Sequence, residues 1–141
     1  MADAASPAFG IDLRVYYQDT DAGGVVYHAN YLNFFERART EWLRHLGHDV
    51  AQMARSGHLF VARRMQLRFL RPAHLDDTLR VTVSLERLGR AQITLFQRVI
   101  RAAEVLVEAS VNVACVDTQG FRPVALPAAL YAELDSGPWK T

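Results

Sequence analysis

The hydrophobic pattern along the chain changes period once. Over residues 9–18, Ile11, Leu13, Val15 and Tyr17 alternate with polar positions, which predicts a strand. Gly23 and Gly24 mark a turn. From about His28 the period becomes helical. Tyr31, Phe34, Phe35, Ala38, Trp42 and Leu46 fall on one face, with Arg37, Thr40 and Arg44 opposite. Asn30 stands at the N-cap position and Gly47 at the C-terminal stop. So wide and aromatic a face has to be packed against a sheet.

Beyond a polar stretch the period returns to two. Residues 59–70 form one run, and 72–77 is a connection. Leu79, Val81, Val83 and Leu85 then alternate with Arg80, Thr82, Ser84 and Glu86. Ala91, Ile93, Leu95 and Val99 follow after a hairpin at Gly89, and Val105, Val107, Ala109, Val111, Val113 and Cys115 follow a turn at 101–104. Three hairpin-linked segments of this kind predict an antiparallel sheet with one buried face. Residues 127–134 predict a short closing helix. The layout is α+β, one sheet of about five to six strands wrapped around one long central helix. Phe60, Phe96, Ile100, Leu106 and Val116 sit at outward positions, a pattern that marks subunit interfaces.

The chain has 141 residues, the size of one domain, with its core expected over about 9–135 and loose ends at 1–8 and 137–141. No repeat or linker divides it. A formal net charge of +1 argues against nucleic acid or an anionic membrane as partner. The single cysteine, Cys115, forms no internal disulfide and sits at a core parity. The first residues lack the pattern of a secretory signal, and no apolar run has the length of a membrane helix. A cytoplasmic protein without membrane insertion is the expectation.

Several chemistries lack their motifs. No serine lies in G-x-S-x-G, and there is neither a P-loop nor G-x-G-x-x-G. His45, His48 and Asp49 are close in sequence but lack the spacing of a metal site, so no metal is expected.

What remains is the stretch 17–31, YQDTDAGGVVYHANY. Asp21 follows a strand and precedes a helix start. Peptide N–H groups in the first turn of a helix are unpaired and carry partial positive charge, so they can stabilise a polarised carbonyl oxygen. An acid beside such a helix end supplies a base or nucleophile. Gly23 and Gly24 let the backbone turn sharply beside a substrate. On chemistry alone Asp19 and Asp21 read more readily as turn formers, bonding their own backbone, and His28 as a capping or surface residue.

This stretch resembles the signature of the hotdog-fold acyl-CoA thioesterases, in the 4-hydroxybenzoyl-CoA thioesterase-like subgroup. The continuation FERARTEWLR at 35–44, with FVARRM at 60–65, RPAHLDD at 71–77 and ALP at 125–127, is similar to the bacterial branch encoded beside the Tol-Pal envelope system. The resemblance spans about 12–130 and implies a helix wrapped by an antiparallel sheet. It also implies hydrolysis of an acyl-CoA thioester to a free acid and CoA.

The same resemblance assigns residues. Asp21 is implied to carry catalysis, as nucleophile or as general base. The backbone N–H of His28 is implied to polarise the thioester carbonyl, and Gly24 to leave room for the reacting group. Tyr17 and Asp19 look like supports of the loop, and Val25, Val26 and Tyr27 help to shape an apolar pocket. Arg87 and Arg90, in the hairpin 86–90, match the place of a basic turn that meets CoA phosphates, which arginine suits. Arg63, among apolar-looking neighbours, either reaches the site or pairs with an acid. Glu36 and Glu41 read as solvated or ion-paired. CoA is part of the substrate, so no cofactor is implied. A homodimer or homotetramer is implied, because related sites form between subunits. Two other readings stay open: a hotdog dehydratase or hydratase using His28, and a non-catalytic scaffold for acyl carrier protein or lipid-synthesis enzymes.

Overall fold

Strands of alternating parity build the sheet on which the rest of the molecule is laid. The computed structural model describes residues 9–138. The strands are β1 (Phe9–Arg14), β2 (Leu59–Phe69), β3 (Thr78–Leu88), β4 (Gln92–Arg101) and β5 (Glu104–Val116). They form one antiparallel sheet in the order β1-β3-β4-β5-β2. The helices are α1 (Tyr31–His45), α2 (Val50–Arg55) and α3 (Ala128–Ser136). The loose ends expected at 1–8 and 137–141 lie outside the described residues, apart from Gly137 and Pro138.

The α+β expectation holds: five strands carry one long helix. Helix α1 lies on β3 and β1. Its Tyr31, Phe34, Phe35, Ala38 and Trp42 meet Leu79, Val81, Val83, Leu85, Leu95 and Val99 in one core. Burying a large apolar side chain is worth about 1.5–3 kcal/mol, so this seam dominates the energetics. Gly47, at φ +91°, ends α1 in the left-handed region.

The structure departs from the sequence reading where the ladder slips. Strand β1 stops at Arg14, and Tyr17–Asp19 is a 3₁₀ turn, so Tyr17 is not a strand residue. Register breaks occur at Arg63 in β2 and at Glu86 in β3. A third occurs at Leu106, because Val99 pairs with Val107 but Ile100 pairs with Val105. An extra residue flips the faces beyond it. Phe60 therefore faces the core, and Leu106 is buried within it. Val116 is covered by the following loop through its bridge to Pro123. Of the five residues read as outward, Phe60, Phe96 and Ile100 stay partly exposed. Helix α2 is an element the pattern did not predict; Asp49 caps it by accepting from the Ala51 N–H.

Candidate functional site

The stretch between β1 and α1 folds into a narrow hairpin. The Tyr27 N–H donates to the Asp19 carbonyl at 3.0 Å and the Asp21 N–H to the Val25 carbonyl at 2.9 Å, with Thr20 opposite Val26. Asp19 uses both carboxylate oxygens to tie this hairpin down. Oδ2 accepts from the Tyr16 N–H and Oδ1 from Asn30 Nδ2, each at 2.8 Å. Asp21 stands exposed at the tip. Its Oδ1 accepts from the Gly23 N–H at 2.8 Å, and its carbonyl accepts from the Gly24 N–H. Gly24 has φ +82°, which only glycine adopts cheaply. A Cβ on Gly23 would sit 3.2 Å from Asp21 Oδ1, so that glycine keeps space for the carboxylate.

The outgoing arm runs straight into the helix start. A 3₁₀ turn, His28–Asn30, leads into α1, and the His28 N–H finds no acceptor among the described residues. Asn30 does not cap α1 with its side chain, contrary to expectation; that amide is committed to Asp19 and Asn33. The His28 ring lies 4.7 Å from Tyr27 and 6.5 Å from Phe69, which in turn lies 5.8 Å from Tyr31. Val26, His28, Tyr31, Phe69 and residues 70–72 line a cavity of ≈ 270 Å³. Burial pushes the Tyr31 phenol above its ordinary value, against the opposing pull of the Ala73 N–H that donates to it and of Arg101.

Two further grooves open elsewhere. An apolar one of ≈ 300 Å³ lies between α1 and the strands, lined by Leu32, Trp42, Leu43, Phe60 and Met65, with Glu36 and Arg39 on its wall. A polar one of ≈ 420 Å³ is lined by Arg63, Arg64, Arg87, Glu86 and Gln92 among others.

Residues 15–134 match the model of a family described as the thioesterase-like superfamily. The chain belongs to that superfamily. It is 45% identical over 124 residues to the acyl-CoA thioester hydrolase YbgC of Escherichia coli O6:H1, covering 86% of this chain and 91% of that one. It is also 45% identical over 125 residues to the acyl-CoA thioesterase YbgC of Haemophilus influenzae, covering 88% and 92%. Among solved structures, a probable thioesterase from Bartonella henselae superposes with a TM-score of 0.82 at 38% identity, over 86% of this chain and 100% of that one.

Within this thioesterase-like chain, the residues singled out from sequence fall in different places. Asp19, Asp21, Gly24 and Val25 share the hairpin with Val26 and Tyr27, and His28 stands at its foot. Val26, however, is a core residue that reaches the cavity wall, while Tyr27 is exposed. Tyr17 is 82% exposed and supports the loop through its carbonyl, which accepts from the Thr20 N–H and hydroxyl. Among the described residues Arg63 neither enters the hairpin site nor pairs with an acid: at the β2 register break it is exposed and donates to Gln92 Oε1 at 2.8 Å. It shares the polar groove with Arg87, while Arg90 is exposed in the hairpin beyond β3 and does not line that groove. Glu36 is exposed, and Glu41 pairs with Arg44 at 2.6 Å. Cys115 is buried, its thiol pushed up to about 11 by burial. Among the described residues no three or more His, Cys, Asp or Glu converge on a possible metal position, and no helix is long and apolar enough to cross a membrane.

Sequence reasoning missed Arg64, Phe69 and the Asn30 clamp. Arg64 joins the groove because the break at Arg63 turns it outward. Phe69 reaches His28 only through the packing of β2 against the helix start. The Asn30 amide meets Asp19 across eleven positions of chain, a separation with no periodic signal.

Proposed function

We propose that this chain hydrolyses acyl-CoA thioesters, with Asp21 as nucleophile or general base and the His28 N–H as the donor to the carbonyl oxygen. The observation that carries the reading is the hairpin itself. An exposed carboxylate stands at its tip with one oxygen held by Gly23, and the same hairpin runs into an N–H that has no acceptor among the described residues, before a 15-residue helix. Polarisation by that N–H and the helix dipole stabilises the oxyanion as it forms. In the nucleophilic route Asp21 attacks the carbonyl carbon, the C–S bond breaks, CoA leaves as thiolate, and water hydrolyses the mixed anhydride. In the general-base route Asp21 takes the proton of an attacking water. Both end in free acid and CoA thiol. The curated relatives named above carry thioester hydrolase activity in their names, which supports the reaction class.

The same reading takes the polar groove of Arg63, Arg64 and Arg87, with Arg90 near by, as the place for CoA phosphates, since guanidinium groups bind phosphate oxygens in pairs. Acyl carrier protein is the alternative donor. A homodimer or homotetramer belongs to the proposal, supported by β2, which ends the sheet with one edge unpaired.

The test is thiol release from short-chain, long-chain and aromatic acyl-CoAs by wild type and Asp21→Asn. Asparagine keeps the shape and the Gly23 bond and removes charge and basicity. A fall of at least about a hundredfold in kcat is expected. Near-normal release by the variant would overturn the assignment. Enoyl absorbance without free thiol would favour a dehydratase, and binding of acyl carrier protein unaltered by Asp21→Asn, with no turnover, a scaffold.

A further inference from the structure

The turn at residues 72–77 stands outside the reaction described above, yet it bonds the end of β1, the outgoing arm of the hairpin and the first residue of α1. At one end of the loop, the Val15 N–H donates to the Asp77 carbonyl at 2.9 Å and the Asp76 N–H to the Val15 carbonyl at 3.0 Å. At the other end, the Val26 N–H donates to the Ala73 carbonyl at 2.9 Å, and Val25 bridges His74. Ala73 also donates its own N–H to the buried Tyr31 hydroxyl at 3.2 Å, and Tyr31 is the first residue of α1. One fully buried alanine therefore couples the arm that carries Asp21 to the helix start.

The turn needs an anchor of its own, and a carboxylate provides it. Asp77 Oδ2 accepts from the His74 N–H and from Arg101 Nη1, both at 2.8 Å. The same Nη1 reaches the Pro72 carbonyl at 3.1 Å, so Arg101 grips the turn at its first and last residues. Glu104 fixes Arg101 Nη2 at 2.9 Å and holds Arg71 at 2.7 Å. Arg101 ends β4 and Glu104 begins β5, so the clamp is fastened to the sheet.

We propose that Asp77, gripped by Arg101, is a positioning residue for catalysis: the pair fixes the 72–77 turn and so sets the Asp21 hairpin against the start of α1. The proposal rests on the role given to Asp21 above. Catalytic geometry tolerates little slack, and an error of about 1 Å in a reacting group costs up to about a hundredfold in rate.

Asp77→Asn, Arg101→Lys and Arg101→Met are to be compared with wild type and Asp21→Asn. The readouts are kcat and KM per folded molecule and hydrogen exchange of the peptide covering residues 20–27. Asp77→Asn and Arg101→Met are expected to lower kcat about tenfold with KM within about twofold, and to speed exchange at Val26. Arg101→Lys keeps a cation for Asp77 but lacks the fork that spans Pro72 and Glu104, so its kcat should fall between. A purely structural role would lower melting temperature and leave kcat per folded molecule unchanged, and that result overturns the proposal. Should Asp77→Asn not fold, the order of the two Arg101 variants decides. Wild-type kcat in Asp21→Asn would sink the reading of Asp21 instead, and exchange at Val26 would still report whether the clamp fixes the loop.

Discussion

Gln97 is the strongest test of how α1 is held. It lies on β4 at core parity, between Leu95 and Val99, and is 0% exposed. Its Nε2 donates to the Phe35 carbonyl at 3.1 Å and more weakly to the Thr82 carbonyl at 3.4 Å, and its Oε1 accepts from Arg39 Nη1 at 3.0 Å. Phe35 and Arg39 are both in α1, so one amide joins the middle of that helix to the sheet. Gln97→Leu keeps the volume. It removes an acceptor from a charged donor, worth about 1.5–3 kcal/mol, and a neutral bond of about 1 kcal/mol, offset by about 1 kcal/mol of apolar transfer. The sum is a loss of about 1.5–3 kcal/mol. Desolvation already pulls the Arg39 guanidinium below its ordinary pKa, with Glu36 opposing, so that group is the one left exposed to the cost. Urea unfolding at fixed protein concentration measures it, because association would otherwise move the midpoint. Arg39→Met together with Gln97→Leu removes both partners, and the double variant should stand within about 1 kcal/mol of wild type. Additive losses, or a single-variant loss below about 0.5 kcal/mol, would refute the reasoning.

Gly24→Ala places a side chain at φ +82° and should cost about 1–2 kcal/mol, read as a fall in kcat together with a melting temperature lower by several degrees. Burial alone would raise the Asp77 carboxyl, but the His74 N–H and Arg101 outweigh it and hold it below the usual carboxylate range, with the His74 ring at 3.8 Å. A depressed pKa stabilises the fold above the unfolded value and is lost as pH falls through the folded one. Asp77→Asn should therefore be less stable than wild type at neutral pH, and the gap should close on acidification in urea unfolding across pH. Cys115, with its thiol at about 11, should resist a thiol reagent at mildly alkaline pH until the chain is denatured; fast labelling of native protein would contradict that.

Strands β3, β4 and β5 and helix α1 were legible because each buries one face over many residues, so its period is written repeatedly. The register breaks were not. A single extra residue at Arg63 or Leu106 changes which face is inside without leaving a mark on composition, and Phe60 and Leu106 were misread for that reason. Helix α2, of six residues, is too short for a period to show. Gln97 reads as a polar interruption of an apolar strand until its three partners are seen, two of them about sixty positions away in α1. In the loop, the motif was readable residue by residue. The support at Ala73, Asp77 and Arg101 was not, since the Ala73 bond is main-chain and the Asp77–Arg101 pair joins positions 24 apart with no periodic signal.

The two readings of the acid pair are compatible in this geometry, because the two carboxylates are bonded differently. Asp21 is a turn former through Oδ1, which holds the Gly23 N–H, while its Oδ2 accepts nothing among the described residues. Asp19 is a turn former through both oxygens. The difference decides what an amide substitution means at each position. Asparagine at 21 keeps an oxygen for Gly23, so the loop persists and any loss of hydrolysis reports on charge. Asparagine at 19 has one oxygen for two donors, so it releases either Tyr16 or Asn30 and loosens the hairpin. Asp19→Asn should therefore cost less activity than Asp21→Asn while disturbing the loop more. The reverse order of activities would exchange the roles of the two acids.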